Sequence, residues 1–187
     1  MRKTLLDPRT KTYLLAEARR ALASALGLEA PVPPRPEDPV LEDPARIFVS
    51  WHEGDRLIGC IGTLEAQRPL EEAVRYFALQ AGLNDPRTPA ATASQLPRLS
   101  CEISVLSAPQ PLDQQGLPAI ARAIEPGVDG VILRAGPRRA VFLPVVWKSL
   151  PDPVSFLLAL CRKGGIDPEQ TDPPITAETF RTELFED

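Results

Sequence analysis

Cys60 stands between two glycines in the run Leu57-Ile58-Gly59-Cys60-Ile61-Gly62. A thiol in such a setting invites a nucleophilic reading, because glycine beside a strand residue removes side-chain cover and lets a ligand or another backbone come close. A cysteine nucleophile needs a base, and His52 is the sole histidine. If the surrounding hairpin closes with His52 opposite Arg56, Cys60 lies four residues further along. That separation is about 13 Å at roughly 3.3 Å per residue, beyond hydrogen-bond reach. His52 is therefore expected to be a solvated hairpin residue. Cys101 and Cys161 fall on apolar stripes and are expected in the core. Three polar side chains remain that could line a cleft with Cys60: Asp85 and Arg87 in the turn-rich Asn84-Asp-Pro-Arg-Thr-Pro-Ala90, and Glu102 on the less apolar side of its strand. Each also has a plain reading as a turn cap or a surface group. Arg68 and Arg75, beside Glu71 and Glu72, read as a solvated salt-bridged helix face.

The elements that must position these residues follow from periodicity. Asp7-Pro8 opens a helix with Leu14, Ala18, Leu22, Ala25 and Leu26 at helical spacing, and Gly27 stops it. Residues 30–45 hold six prolines and read as an ordered crossing loop. Residues 46–64 form a hairpin with Glu53-Gly54-Asp55 at its tip. Alternation then puts Ile47, Val49, Trp51, Leu57, Gly59 and Ile61 on the core face, and Phe48, Ser50, His52, Arg56, Ile58, Cys60 and Gly62 on the other. Pro69 starts a helix with a stripe of Leu70, Val74, Phe77, Ala78 and Ala81. Leu99–Leu106 alternates as a strand, residues 130–144 form a second hairpin turning at Gly136-Pro137, and Asp152-Pro153 opens a helix with Val154, Leu157, Leu158 and Cys161 aligned. The segment Thr176–Phe185 reads as one last strand. Helices interleave with antiparallel hairpins without a βαβ rhythm, so the expected class is α+β.

Composition narrows the function. A chain of 187 residues can bury one sizeable core, shared by up to two subdomains. A net charge of −4 opposes general nucleic-acid binding, which needs a basic face. No apolar run is long enough for a membrane span, and the charged N-terminal stretch is unlike a signal peptide, so a cytoplasmic location is expected. One histidine and three scattered cysteines furnish neither a closed tetrahedral metal site nor a disulfide framework. No Walker loop, Rossmann fingerprint, nucleophile elbow or zincin motif appears, so no cofactor is indicated.

Taken in order, residues 57–70, 85–90, 96–112 and 127–166 resemble the AMMECR family, strongly from 47 to 166 and more weakly at both ends. The whole chain, 1–187, is then identified as a single domain of that family, its bacterial branch the nearest likeness. The resemblance implies a compact α+β fold of two subdomains around a cleft, and association with a radical S-adenosylmethionine enzyme and a Memo-type protein. The family's hallmark Leu-Arg-Gly-Cys-Ile-Gly is matched at Leu57, Gly59, Cys60, Ile61 and Gly62, with Ile58 at the arginine position. Its Asp-x-Arg-Phe-x-Pro is matched at Asp85, Arg87 and Pro89, with Thr88 in place of phenylalanine. Residues 58 and 60 are expected on one strand face, so Ile58 would set apolar surface beside Cys60 where the family sets a cation. Gly59, Cys60, Gly62, Asp85, Arg87 and Glu102 are the candidate ligand-binding residues, with Cys60 the one catalytic candidate. The expected role is a binding or accessory component of a modification pathway that docks onto the radical enzyme through its loops and the Arg134–Arg139 hairpin. The alternative is an enzyme acting on a small molecule or modified side chain near Cys60.

Overall fold

The computed structural model describes residues 6–169 and 172–187. It is α+β: among the described residues four α-helices accompany eight strands in two four-stranded sheets. The chain divides into two compact units, residues 1–106 with 183–187, and residues 107–182.

The first unit contains α1 (Pro8–Ala25), β1 (Pro44–Glu53), β2 (Arg56–Pro69), α2 (Leu70–Leu83), β3 (Leu99–Leu106) and β8 (Thr182–Glu186), its sheet ordered β2-β1-β3-β8. Helix α1 starts where Asp7 accepts a hydrogen bond from the Arg9 amide at 2.8 Å and Pro8 supplies a preset φ. Its buried stripe includes Leu14, Ala18, Leu22 and Ala23, whereas Ala25, expected inward, is exposed. Pro69 closes β2 and caps α2 instead of beginning it, and the Leu70 amide donates to the Asp43 carbonyl at 2.9 Å. The stripe of α2 is buried as expected, and Trp51 from β1 lies under it, its indole N–H donating to the Ala78 carbonyl at 2.9 Å.

The hairpin register corrects the sequence reading. Glu53 pairs with Arg56 and His52 with Leu57, but Trp51 pairs with Gly59, so β2 carries one extra residue at this step. Such a bulge turns two successive side chains toward one side of the sheet. Ile58, expected on the polar face, is 2% exposed and belongs to the Trp51 core, while Leu57, expected in that core, is 39% exposed. Beyond the bulge the alternation recovers: Val49 pairs with Ile61 and Ser50 with Cys60.

A network of charges clamps α1 to α2. Glu17, its side chain 4% exposed, accepts from Arg20 at 2.8 Å and from Arg75, and Glu71 accepts from Arg75, Tyr13 and Arg35. Arg68 and Glu72 make the exposed helical pair expected of them, at 2.9 Å, but Arg75 turns inward to this network. Burial pushes the Glu17 and Glu71 carboxyls up, yet their hydrogen bonds, from Arg20 and Arg75 to Glu17 and from Tyr13 and Arg35 to Glu71, hold both below the usual range. Burial, then the hydrogen bond to Glu71 and the charges of Glu17 and Glu71, push the Tyr13 phenol up to about 12. A raised folded value means that the stability Tyr13 contributes is full below about pH 10 and is lost as the pH rises through the folded value. The difference in phenolate absorbance between wild type and Tyr13→Phe is therefore expected to titrate near pH 12 or to coincide with alkaline unfolding; a difference centred at pH 10 in folded protein would show Tyr13 to be solvated.

The second unit contains β4 (Gln110–Gln115), α3 (Leu117–Ala123), β5 (Gly130–Ala135), β6 (Arg138–Phe142), α4 (Pro153–Gly164) and β7 (Thr176–Phe180), its sheet ordered β4-β7-β5-β6. The β5–β6 hairpin turns at Gly136-Pro137, with Ala135 opposite Arg138. Helix α4 is capped by Asp152, which accepts from the Ser155 amide at 2.8 Å, and ends at Gly165 in the left-handed region, where the Ile166 amide returns to the Cys161 carbonyl. Its buried side is Phe156, Leu157, Leu160 and Cys161, with Trp147 stacked on Phe156 at 3.8 Å. Val154 and Leu158, expected inward, are exposed. The tail is two strands: the chain turns at Arg181, and β7 and β8 enter different sheets. Strand β4 and helix α3 had no counterpart in the sequence reading, because Gln110–Gln115 is almost wholly polar and α3 has seven residues.

Candidate functional site

Strand β2 lies at the edge of its sheet, so the outward N–H and C=O groups around Cys60 need partners. The Asp85–Thr88 loop, directly after α2, supplies them. The Cys60 amide donates to Asp85 Oδ2 at 2.9 Å, the Cys60 carbonyl accepts from Arg87 Nη2 at 2.8 Å, and the Ile58 carbonyl accepts from the Thr88 hydroxyl. Arg87 also holds Asp85 in a fork, Nε to Oδ1 at 2.9 Å and Nη2 to Oδ2 at 2.6 Å, while its own amide donates to Oδ1 at 3.0 Å. The loop is tied back to α2 where the Ala91 amide donates to the Gly82 carbonyl at 2.7 Å.

This approach explains Gly59, and the close backbone of β1 explains Gly62. A Cβ on Gly59 would lie 1.9 Å from the Ala81 carbonyl oxygen and 3.2 Å from the Asp85 Cβ, and one on Gly62 would lie 2.1 Å from the Ile47 carbonyl oxygen. Both positions admit backbone rather than a ligand.

Asp85 is saturated. Two bonds reach each carboxylate oxygen, its side chain is 1% exposed, and the Arg87 guanidinium, whose side chain is 63% exposed, holds its carboxyl far below the usual range, with the Cys60 and Arg87 amides adding to the effect against burial. A carboxylate so engaged has no lone pair left for a proton in flight. The two positions where the sequence departs from the family pattern touch each other: Thr88 bonds the carbonyl of Ile58. Ile58 itself points into the core, so it does not stand beside Cys60 as expected.

The other face of the sheet carries a second grouping. Cys60 lies directly opposite Ser50, and Ser50 directly opposite Glu102; Gly62, Phe48 and Ser104 form the next row. Residues paired in this way project to the same side. Glu102 is therefore on the Cys60 face, as expected, but two strands away, about 10 Å. It is not brought to Asp85 or Arg87. His52 is closer to Cys60 than the expected 13 Å: Cys60 opposes Ser50, two residues from His52, which makes the two diagonal neighbours roughly 7–8 Å apart. No hydrogen bond joins them among the described residues. Ser50 and Ser104, 6% and 8% exposed, were not singled out from sequence, although the alternation of β1 and β3 places both beside Cys60 or Glu102.

The remaining thiols are structural. Burial pushes Cys101 up, with the Asp187 charge adding to it, and burial pushes Cys161 up as well. Cys60 is the half-buried one. Among the described residues no three His, Cys, Asp or Glu side chains gather where they could hold a metal, and no helix is long and apolar enough to cross a membrane.

The fold defines a class: an α+β protein of two units in which an aspartate–arginine loop braces a glycine-flanked cysteine on an edge strand. The chain belongs to the AMMECR1 family, whose profile matches residues 15–185. Protein MK0488 of Methanopyrus kandleri is 30% identical over 184 residues, spanning 94% of this chain and 87% of that protein. A protein of Methanothermobacter thermautotrophicus is 33% identical over 145 residues, 74% of this chain and 73% of its own length. The crystal structure of the uncharacterized protein PH0010 from Pyrococcus horikoshii superposes with a TM-score of 0.82 at 28% identity, covering 97% of this chain and 93% of the other. These relatives are archaeal, whereas the motifs alone pointed to the bacterial branch.

Proposed function

We propose that this chain is a cytoplasmic binding component of a modification pathway, in the position of protein A of the AmmeMemoRadiSam system, and that it docks with a radical S-adenosylmethionine enzyme and a Memo-type protein. One observation carries the preference for binding over catalysis: the acid nearest Cys60, Asp85, spends all its acceptor capacity on Arg87 and the β2 backbone. The loop that most resembles catalytic machinery serves as a brace. Gly59 makes room for the end of α2 and the Asp85 loop, Gly62 makes room for the β1 backbone at Ile47, and Cys60 shares its sheet face with Ser50 and Glu102.

A second reading has an observation of its own. His52 is a diagonal neighbour of Cys60, so a modest shift of side chains would bring a base to the thiol, as an enzyme acting on a small molecule requires.

Titration calorimetry of the purified chain against the two pathway proteins from the same genome tests the binding role. A saturable complex with either protein, unchanged by Cys60→Ser, is expected. The absence of a complex with both would remove the docking role.

A further inference from the structure

We infer that β6, the open edge of the second sheet, receives an acidic extended segment of a protein partner as an added strand. This names the binding mode and the chemistry of the partner's segment for the docking role proposed above, and rests on that reading.

The register decides which groups of β6 face outward. Gly136 and Pro137 make a two-residue turn, with Gly136 at φ 57° and Ala135 opposite Arg138. The residues that close such a turn exchange both backbone hydrogen bonds, and bonded and non-bonded pairs then alternate along the ladder. Ala135 with Arg138, Leu133 with Ala140 and Val131 with Phe142 are therefore the bonded pairs, and Arg139 and Val141 turn their N–H and C=O groups away from β5. Strand β6 is last in the order β4-β7-β5-β6, so no strand of the sheet lies beyond them. The Val141 carbonyl accepts from Lys163 Nζ at 2.8 Å, which agrees with that direction. Among the described residues no loop amide or side chain bonds the Arg139 N–H or C=O. The Asp85–Thr88 loop closes the outward groups of β2, and β6 has no such brace.

Charge selects what can pair here. Residues 130–151 contain Arg134, Arg138, Arg139 and Lys148 and no aspartate or glutamate, in a chain of net charge −4. Arg134 is paired with Glu178 at 3.0 Å, whereas Arg138 and Arg139 are exposed and form no ion pair among the described residues. Arg138 shares a face with Ala135 and Ala140, which belong to the α4 core, and Arg139 shares the opposite face with Arg134. A Cβ on Gly164 would lie 2.7 Å from that of Ala140, so the last turn of α4, with Arg162 and Lys163, runs beside the strand. The edge thus carries one unpaired guanidinium on each side of the sheet. An added strand alternates its side chains between those sides, so two adjacent acidic residues meet Arg138 and Arg139 in turn. Two β6 edges repel one another, which leaves the edge to a partner of opposite sign. The edge strands β4, with Asp113, and β8, with Glu183 and Glu186, contain no cation to receive such a segment.

The probe is the peptide acetyl-Thr-Val-Glu-Glu-Val-Thr-amide, titrated into the full chain and followed by backbone amide NMR shifts. Comparators are the peptide with Lys-Lys at its centre, the peptide N-methylated at both glutamate amides, and a short oligothymidylate. Successive amides of a strand point to opposite edges, so the N-methylated form loses a bond whichever edge it presents. Saturable shifts centred on Arg138–Val141 are expected for the acidic peptide alone, weakening as salt is raised. The double variant Arg138→Gln, Arg139→Gln, which breaks no side-chain bond within the fold, should weaken binding about threefold to tenfold, the range for two exposed ion pairs. No saturable shift at β6, or undiminished binding by the N-methylated peptide, the Lys-Lys peptide or the double variant, would overturn the assignment. Equal binding of the oligothymidylate would make the edge a general anion patch and overturn it too. A calorimetric complex with a pathway protein that is retained in the double variant, alongside a failed peptide titration, would leave the docking role standing and remove only the added strand.

Discussion

Trp51→Ala is expected to destabilise the protein by about 3–5 kcal/mol, the range for truncating a large aromatic in a packed core. Trp51 is fully buried, its indole N–H is satisfied by the Ala78 carbonyl at 2.9 Å, and Arg19 lies over its ring at 5.7 Å. A Cβ on Gly82 would come 3.4 Å from the indole nitrogen, so α2 rests closely on this side chain. Truncation leaves a void beneath α2 and takes the indole donor from the Ala78 carbonyl. Denaturant titration measures the loss. A change below about 1 kcal/mol would mean that the core side of the first hairpin is misassigned, and the face given to Cys60 would go with it.

Asp85→Ala is expected to cost about 1–3 kcal/mol from the orphaned Cys60 amide alone, with the release of Arg87 from its fork in addition. The sign of the pH dependence follows from the lowered carboxyl. Its stabilisation is present above the unfolded value, near pH 3.9, and fades as the pH falls toward the folded value below that. The gap between wild type and Asp85→Ala should therefore be constant through neutral pH and shrink under acid. Urea titrations at neutral pH and near pH 3 decide it. A gap that widens on acidification, or is absent at neutral pH, would show that the loop does not brace β2.

The sequence exposed the fold class because its long periodic elements carry their own signals: the stripe of α2, the Asp-Pro starts of α1 and α4, and the alternation of β3 were each readable without tertiary context. What escaped it depended on contacts distant in sequence. The bulge at Ile58 changes the face of two residues, and nothing local announces it, since Leu and Ile are equally apolar. Helix α4 presented two apolar sides, and only the packing of Phe156 against Trp147 selects one. The polar β4 forms because β7 pairs with it, not from its own propensity.

The candidate site was partly legible for a similar reason. Asp85 and Arg87 were visible as a pair with Cys60, yet their use as a strand-edge brace rests on backbone hydrogen bonds that no residue type encodes. Ser50 and Ser104 were unremarkable as letters. They gain a place beside Cys60 and Glu102 only from the register that aligns Ser50 with both.

Turnover is the property that divides a binding component from a cysteine enzyme. The measurement is a mass-spectrometric survey of a metabolite extract incubated with the pure chain in substoichiometric amount, run in parallel with Cys60→Ser. For a binding component braced as described, no compound is consumed beyond one equivalent of protein, and wild type and Cys60→Ser retain the same ligands. Consumption of a compound through many turnovers, lost in Cys60→Ser, would contradict that role and make Cys60 the nucleophile of an enzyme.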